Sequence, residues 1–363
     1  MSWQRMLAIM VKELRQLRRD RITLAMIVGI PVMQLVLFGY AINLNLRGLP
    51  AGIADQAGTA ASRAAVMDMV ATGVIAPVAV ADTPQALTDL LRRGEISVGV
   101  VVPHDYERRR SEGREAIQVM VDGSDTVVQG AAMQLAQMPL AGAPTAGPRA
   151  QPPISVVAFY NPQRRSPLNI VPGLIGVILT MTMVLFTSVA IVRERERGNM
   201  ELLIATPVSR SELMIGKVLP YIAIGVVQTT VVLALGAWLF DVPVRGSLLD
   251  VYLAALLLIL ANLTLGLLIS TRAQSQFQAM QMTFFVFLPS ILLSGFMFPF
   301  AGMPKAAQWL AELLPLTHFL RLIRGIVLRG ASLAELWPDA LALAAFTAVM
   351  MTAAITRFRK RLD

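Results

Sequence analysis

Leu168–Val192 reads LNIVPGLIGVILTMTMVLFTSVAIV, and Arg193–Arg197 continues it without a break as RERER. No residue in the first of these stretches carries a charge. At about 1.5 Å per residue, a helix of this length exceeds the roughly 30 Å of hydrocarbon in a bilayer. The charged pentad must then stand in water or among headgroups, so the segment reads as a membrane span that runs on, as a rigid helix, into an aqueous compartment. Similar apolar runs follow at 218–240, 251–270, 279–300 and 337–356, and one precedes it at about Ile22–Leu46, with a kink expected at Pro31. These runs predict an all-α polytopic membrane protein with six transmembrane helices.

Composition agrees. Of the 363 residues, 55% are hydrophobic and 15% charged, and the mean hydropathy is +0.62, far too apolar to cover a soluble surface. The net charge of +9 could suit nucleic acid, but the basic residues cluster beside the apolar runs, where they meet anionic headgroups and fix topology. There is no cysteine, hence no disulfide framework, thiolate nucleophile or cysteine metal site. His104 and His318 lie far apart and read as ordinary polar side chains, and no metal site is expected.

Residues 1–21 are expected to form a cytoplasmic interfacial amphipathic helix. Trp3, Met6, Leu7, Met10, Leu14 and Leu17 recur at helical spacing, with Lys12, Arg15, Arg18 and Arg19 for the headgroups. After the span at 22–46 the hydropathy collapses. Residues 47–165 hold eleven basic and eleven acidic residues and read as a soluble extracytoplasmic α/β domain inserted between transmembrane helices 1 and 2. Strands are expected at Gly52–Asp55, Val74–Val80, Ile96–Val102 and Ile117–Val121, and helices near 60–71, 84–93, 105–113 and 126–138. A Pro/Ala/Gly tether at 139–153 closes this region. Residues 166–363 carry transmembrane helices 2–6. Within them, 305–329 read as a pair of re-entrant or interfacial helices broken at Pro315, with Arg321, Arg324 and Arg329 reaching to the membrane interface. Loop charges orient the whole: sixteen Lys/Arg on the side of both termini against five on the other put the termini in the cytoplasm and 47–165 outside.

A source of energy within the chain is hard to find. It contains no G-x-x-x-x-G-K-[ST] phosphate loop and no H-E-x-x-H or G-x-S-x-G motif. The cores of the expected spans hold no Asp, Glu, Lys, Arg or His with which to bind a coupling ion, and Asp339 lies only at the mouth of the last. Work supplied from outside would best enter at 194–212. There Arg193, Glu194, Arg195 and Glu196 extend the span, Gly198 breaks it, Glu201 lies in a short amphipathic turn and Thr206-Pro207 closes that turn. The same residues also fit a solvated loop that does no more than fix topology.

At this point the chain resembles the ABC-2 type exporter permeases. The resemblance rests on Arg193–Gly198 followed by Met200–Leu203 and Thr206-Pro207, on Glu13–Asp20, Asn161-Pro162 and Val171-Pro172-Gly173, on Gly216-Lys217 with Pro220, on Leu293–Pro299 with Met303-Pro304, and on Leu314–His318. Asn199 departs from the threonine common in relatives. The inserted domain, with Asp122-Gly123-Ser124 after a strand, is similar to the bacterial drug- or ion-export branch. The resemblance implies a permease subunit of a bacterial inner-membrane exporter moving a hydrophobic or amphipathic substrate. It further implies a second permease chain, alike or homologous, and separate cytoplasmic ATPase subunits that bind ATP and Mg, with no cofactor in this chain. Residues 3–19 and about 194–212 would contact the ATPase. A periplasmic adaptor protein would serve if export crosses two membranes. Candidate substrate-path residues are Gln34, Phe38, Tyr40 and Asn43 on the first span, Met183 and Phe186 on the second, and Phe284, Phe285 and Phe287 on the fifth, since methionine and aromatic side chains adapt to varied apolar cargo. Such residues are more often simple helix packing. An ion-coupled secondary transporter or channel, and a membrane-anchored receptor or scaffold, are the rival readings.

Overall fold

The computed structural model describes residues 48–124, 126–136, 138, 153–163, 165–196 and 210–357. The expected interfacial helix, the first span, the tether up to residue 152 and the loop at 197–209 lie outside these residues.

The first unit is a five-stranded sheet of order β2-β1-β3-β4-β5, built from β1 (Leu49–Asp55), β2 (Ile75–Val80), β3 (Val98–Val102), β4 (Ile117–Asp122) and β5 (Ile154–Phe159). All neighbours are parallel except β3 and β4. Between the strands lie α1 (Ala60–Ala71), α2 (Pro84–Arg93), α3 (Tyr106–Ser111) and α4 (Thr126–Leu135). Local chemistry sets the starts of the first two helices. Thr59 and Ser62 exchange a capping box at α1, and Thr83 caps α2 ahead of Pro84, whose missing N–H costs nothing in the first turn. Residues of α1, α3 and α4 form one apolar layer with the sheet, while Leu87 and Leu91 of α2 join Ala54, Ile96, Val101 and Met120 in another. Covered on both sides, β3 is apolar throughout (VGVVV) and wholly buried. The four expected strands are present. The fifth, Ile154–Phe159, is an addition to the expectation: its β-branched run ISVVAF hides between a proline-rich tether and a membrane span.

The second unit is a helical bundle. It comprises α5 (Ser166–Glu196), α6 (Arg210–Phe240), α7 (Leu248–Arg272), α8 (Gln276–Leu293), α9 (Lys305–Glu312), α10 (Pro315–Arg324) and α11 (Trp337–Arg357). Among the described residues, α5, α6, α7, α8 and α11 contain five segments long and apolar enough to cross a membrane. In the most apolar part of each, 67% of α5 and 72% of α7 is buried, against 17% of α6 and 11% of α11. Thus α5 and α7 form the central pair, and α6 and α11 turn apolar residues such as Val227, Val231, Leu341 and Val349 outward. The central pair approaches closely because Gly266 offers no side chain: a Cβ there would lie 2.8 Å from the Val184 carbonyl oxygen. Polar side chains add interhelical ties, with Asn262 Nδ2 donating to Thr180 Oγ1 at 3.2 Å and Ser188 meeting Thr283 at 3.2 Å.

Helix α8 stops at Leu293, seven residues short of the expected end. Gly295 takes a left-handed turn (φ 89°) and a short 3-10 turn follows at Phe300–Gly302. Residues 305–329 do form a helix pair, with Pro315 opening the second helix and a π turn at Gly325–Arg329 ending it. Two of its arginines have defined partners. Arg321 bonds Glu312 and Asp339, and Arg329, with a side chain only 8% exposed, meets Asp122 of the sheet domain. A buried guanidinium is tolerable only beside counter-charge, and the sheet domain supplies it.

Candidate functional site

The two ends of the bundle are chemically different. At one end sits the sheet domain, joined through Arg92–Glu335 at 2.7 Å, Arg329–Asp122 at 3.4 Å and Arg245, whose guanidinium lies 5.8 Å from the centre of the Tyr160 ring. The Asn161-Pro162 motif sets the turn from β5 into α5: Asn161 accepts from the Arg165 N–H at 2.8 Å and donates to the Arg165 carbonyl at 3.0 Å.

The far end carries the charged extension of α5, which runs unbroken to Glu196. Its charges have defined places. Arg195 donates to the carbonyls of Ala273 (3.0 Å) and Ser270 (3.1 Å), at the C-terminus of α7. Glu196 accepts from the backbone N–H of Gln276 at 2.9 Å, at the N-terminus of α8. Arg193 donates to the Gln276 side chain at 3.1 Å. A cation thus faces the negative end of one helix dipole and an anion the positive end of the next. Arg193, Arg195 and Glu196 therefore tie α5 to the turn between α7 and α8. A displacement of this end would be carried into both central helices.

Of the sequence-predicted residues, Arg193, Arg195 and Glu196 come together here, with Glu194 between them on α5. Gly198, Glu201, Thr206 and Pro207 lie outside the described residues, as do Trp3, Lys12, Arg15, Arg18, Arg19, Gln34, Phe38, Tyr40 and Asn43. Met183 is fully buried, and its sulfur would lie 3.3 Å from a Cβ on Gly225 of α6, so it packs helices together. Phe186, Phe284 and Phe285 are exposed on the bundle, and Phe287 packs against the central apolar core.

One cluster escaped sequence reasoning. His318 Nδ1 lies 2.8 Å from Asp339 Oδ1 and Nε2 lies 2.8 Å from the Glu312 carbonyl oxygen, while Arg321 bridges Glu312 and Asp339 and stacks 4.6 Å from the centre of the Phe300 ring. Both acceptors are used fully only by a doubly protonated imidazole. Burial opposes that cation, but the bonds to Asp339 and to the Glu312 carbonyl outweigh it and raise the His318 pKa above the ordinary 6.5. The signal available in the sequence was a His three residues before an Arg on a strongly amphipathic helix, with an Asp opening the next span.

A family model described as "ABC-2 family transporter protein" matches residues 21–356. The chain is 33% identical over 373 aligned residues to the "Probable multidrug ABC transporter permease YbhS" of Escherichia coli K12, covering 100% of this chain and 99% of that protein. It is 29% identical to YbhR, of the same description and organism, over 99% of this chain and 100% of that one. The "Inner membrane transport permease YhhJ" of E. coli K12 is 32% identical over about half of each chain, 52% in both cases. With a membrane-embedded bundle, an appended α/β sheet and a family match over nearly its whole length, the chain belongs to the ABC-2 family of transporter permeases.

Proposed function

We propose that this chain is the transmembrane subunit of an ATP-binding-cassette exporter that moves a hydrophobic or amphipathic substrate out of the cytoplasm or inner leaflet, driven by ATP that a separate subunit hydrolyses. The observation that carries the reading is the extended end of α5, tied by Arg195 and Glu196 to the α7–α8 turn. It lies at the opposite end from the sheet domain, where an ATPase docked on residues 194–212 would push on α5, α7 and α8 together. Glu201, Thr206 and Pro207 would supply the docking turn, and the helix at 1–21 a second contact.

In this reading a sixth span at 22–46 precedes the sheet domain, which occupies 47–165 as a periplasmic insertion, and both termini face the cytoplasm of a bacterial inner membrane. The multidrug description of the relatives, and the inner-membrane description of one, support substrate class and location. The outward apolar faces of α6 and α11 suit lipid and a second permease chain. Phe186, Phe284 and Phe285, exposed on α5 and α8, remain the described residues best placed to meet substrate.

Arg195→Glu tests the coupling. It sets a carboxylate against the α7 carbonyls and should lower substrate-stimulated ATP hydrolysis of the reconstituted complex about tenfold, a loss near 1.4 kcal/mol, while the subunits still co-purify. Unchanged stimulation would refute the assignment.

A further inference from the structure

Between the sheet domain and the adjoining end of the bundle lies a cavity of about 440 Å³. Its wall carries four arginines, Arg93, Arg321, Arg324 and Arg329, and two carboxylates, Asp122 and Asp339. Arg93 is shared with Glu95 in an exposed pair, and Arg321 with Glu312. Arg329 is different. Its side chain is 8% exposed, its bonds to Asp122 and to the Arg321 carbonyl are long (3.4 and 3.5 Å), and its buried Nε has no hydrogen-bond partner among the described residues.

The backbone is shaped to put it there. The π turn at Gly325–Arg329 aims the side chain toward the sheet, and π turns of this kind gather at functional sites. On the facing side, Gly94 ends α2 in a left-handed conformation (φ 75°), and a Cβ there would lie 2.5 Å from an Arg329 guanidinium nitrogen. Asp122 is the one carboxylate that faces it, at 3.4 Å, and its other oxygen accepts from the Ser124 N–H at 2.9 Å in the Asp122-Gly123-Ser124 turn. A buried guanidinium held this loosely is costly unless a better acceptor arrives. Its planar fork matches phosphate oxygens in pairs.

We propose that this chamber binds a phosphate oxyanion, with Arg329 as its anchor, Arg324 beside it and Asp122 as the carboxylate it displaces. Phe300, Leu320 and Leu336 in the same wall give the rest of an amphiphile an apolar surface. The site is read at equilibrium without nucleotide, so it stands or falls separately from the coupling at the far end.

The test uses the full chain in nanodiscs. Phosphatidylglycerol retention is followed by native mass spectrometry, inorganic phosphate alone by phosphorus NMR, and diacylglycerol serves as the chain-matched control without phosphate. Binding of phosphatidylglycerol alone identifies a lipid headgroup as the ligand; binding of both identifies a site open to free phosphate as well. Arg329→Gln should weaken the bound species about tenfold, whereas Asp122→Asn, which removes the competing carboxylate, should strengthen it. A contact that merely fastens the sheet domain down would suffer alike from both changes. Equal loss in the two variants, no effect of Arg329→Gln, retention of diacylglycerol as strong as that of phosphatidylglycerol, or no saturable binding of either phosphate probe would each overturn the proposal.

Discussion

His318 shows how much one side chain can carry when both its ring nitrogens face acceptors. Asp339 and the Glu312 carbonyl hold it at 2.8 Å each, and its pKa lies above the ordinary 6.5 because those bonds favour the cation more than burial opposes it. A group whose pKa is raised on folding contributes stability that is fully present below the unfolded value and is lost as pH climbs through the folded one. Thermal unfolding of the purified protein should therefore fall in temperature as pH rises past the ordinary histidine range, and His318→Gln should flatten that slope. A slope of the same size in the variant would contradict the assignment. Residue-scale features of this kind are the least legible in a sequence. His318 and Asp339 stand 21 positions apart, and Arg329 and Asp122 stand 207 apart. No periodicity links such partners, because the chain returns to them only after whole elements have packed.

At the scale of elements the sequence said more. Each of α5, α6, α7, α8 and α11 lies on an apolar run, since twenty uncharged residues have few alternatives to a helix in lipid. Ends were harder: Gly295 stops α8 early through a local backbone choice, and β5 looks like linker until it pairs with β4. The alternating charges of Arg193–Glu196 were legible as an extension of α5, but their function as complements to two helix dipoles needed the α7–α8 turn in place. The packing of the central pair gives a prediction at this scale. Gly266→Val would thrust a side chain at the Val184 carbonyl, a backbone atom that cannot rotate away, so α5 and α7 must separate. We expect a loss of about 1–3 kcal/mol, read as a lower unfolding temperature in detergent. Gly130→Val, on the sheet domain with open space around it, should change the bundle little.

For the whole molecule the division of labour follows from the two ends. One end holds the sheet domain through the buried Arg329 and the Arg92–Glu335 pair, and the other presents a charged helix clamped across the turn between two spans. Between them, the described spans keep their ionisable residues to the termini, as with Asp339 in the first turn of α11 and Arg272 in the last turn of α7. A coupling ion would need such groups near the middle. In the proposed function, work reaches the bundle from a second protein at the charged end. Reconstitution in proteoliposomes tests this most directly, with uphill cargo flux measured with and without the ATPase subunit and Mg-ATP. We predict uphill flux only when both are supplied; flux driven by a proton or sodium gradient through this chain alone would contradict the account.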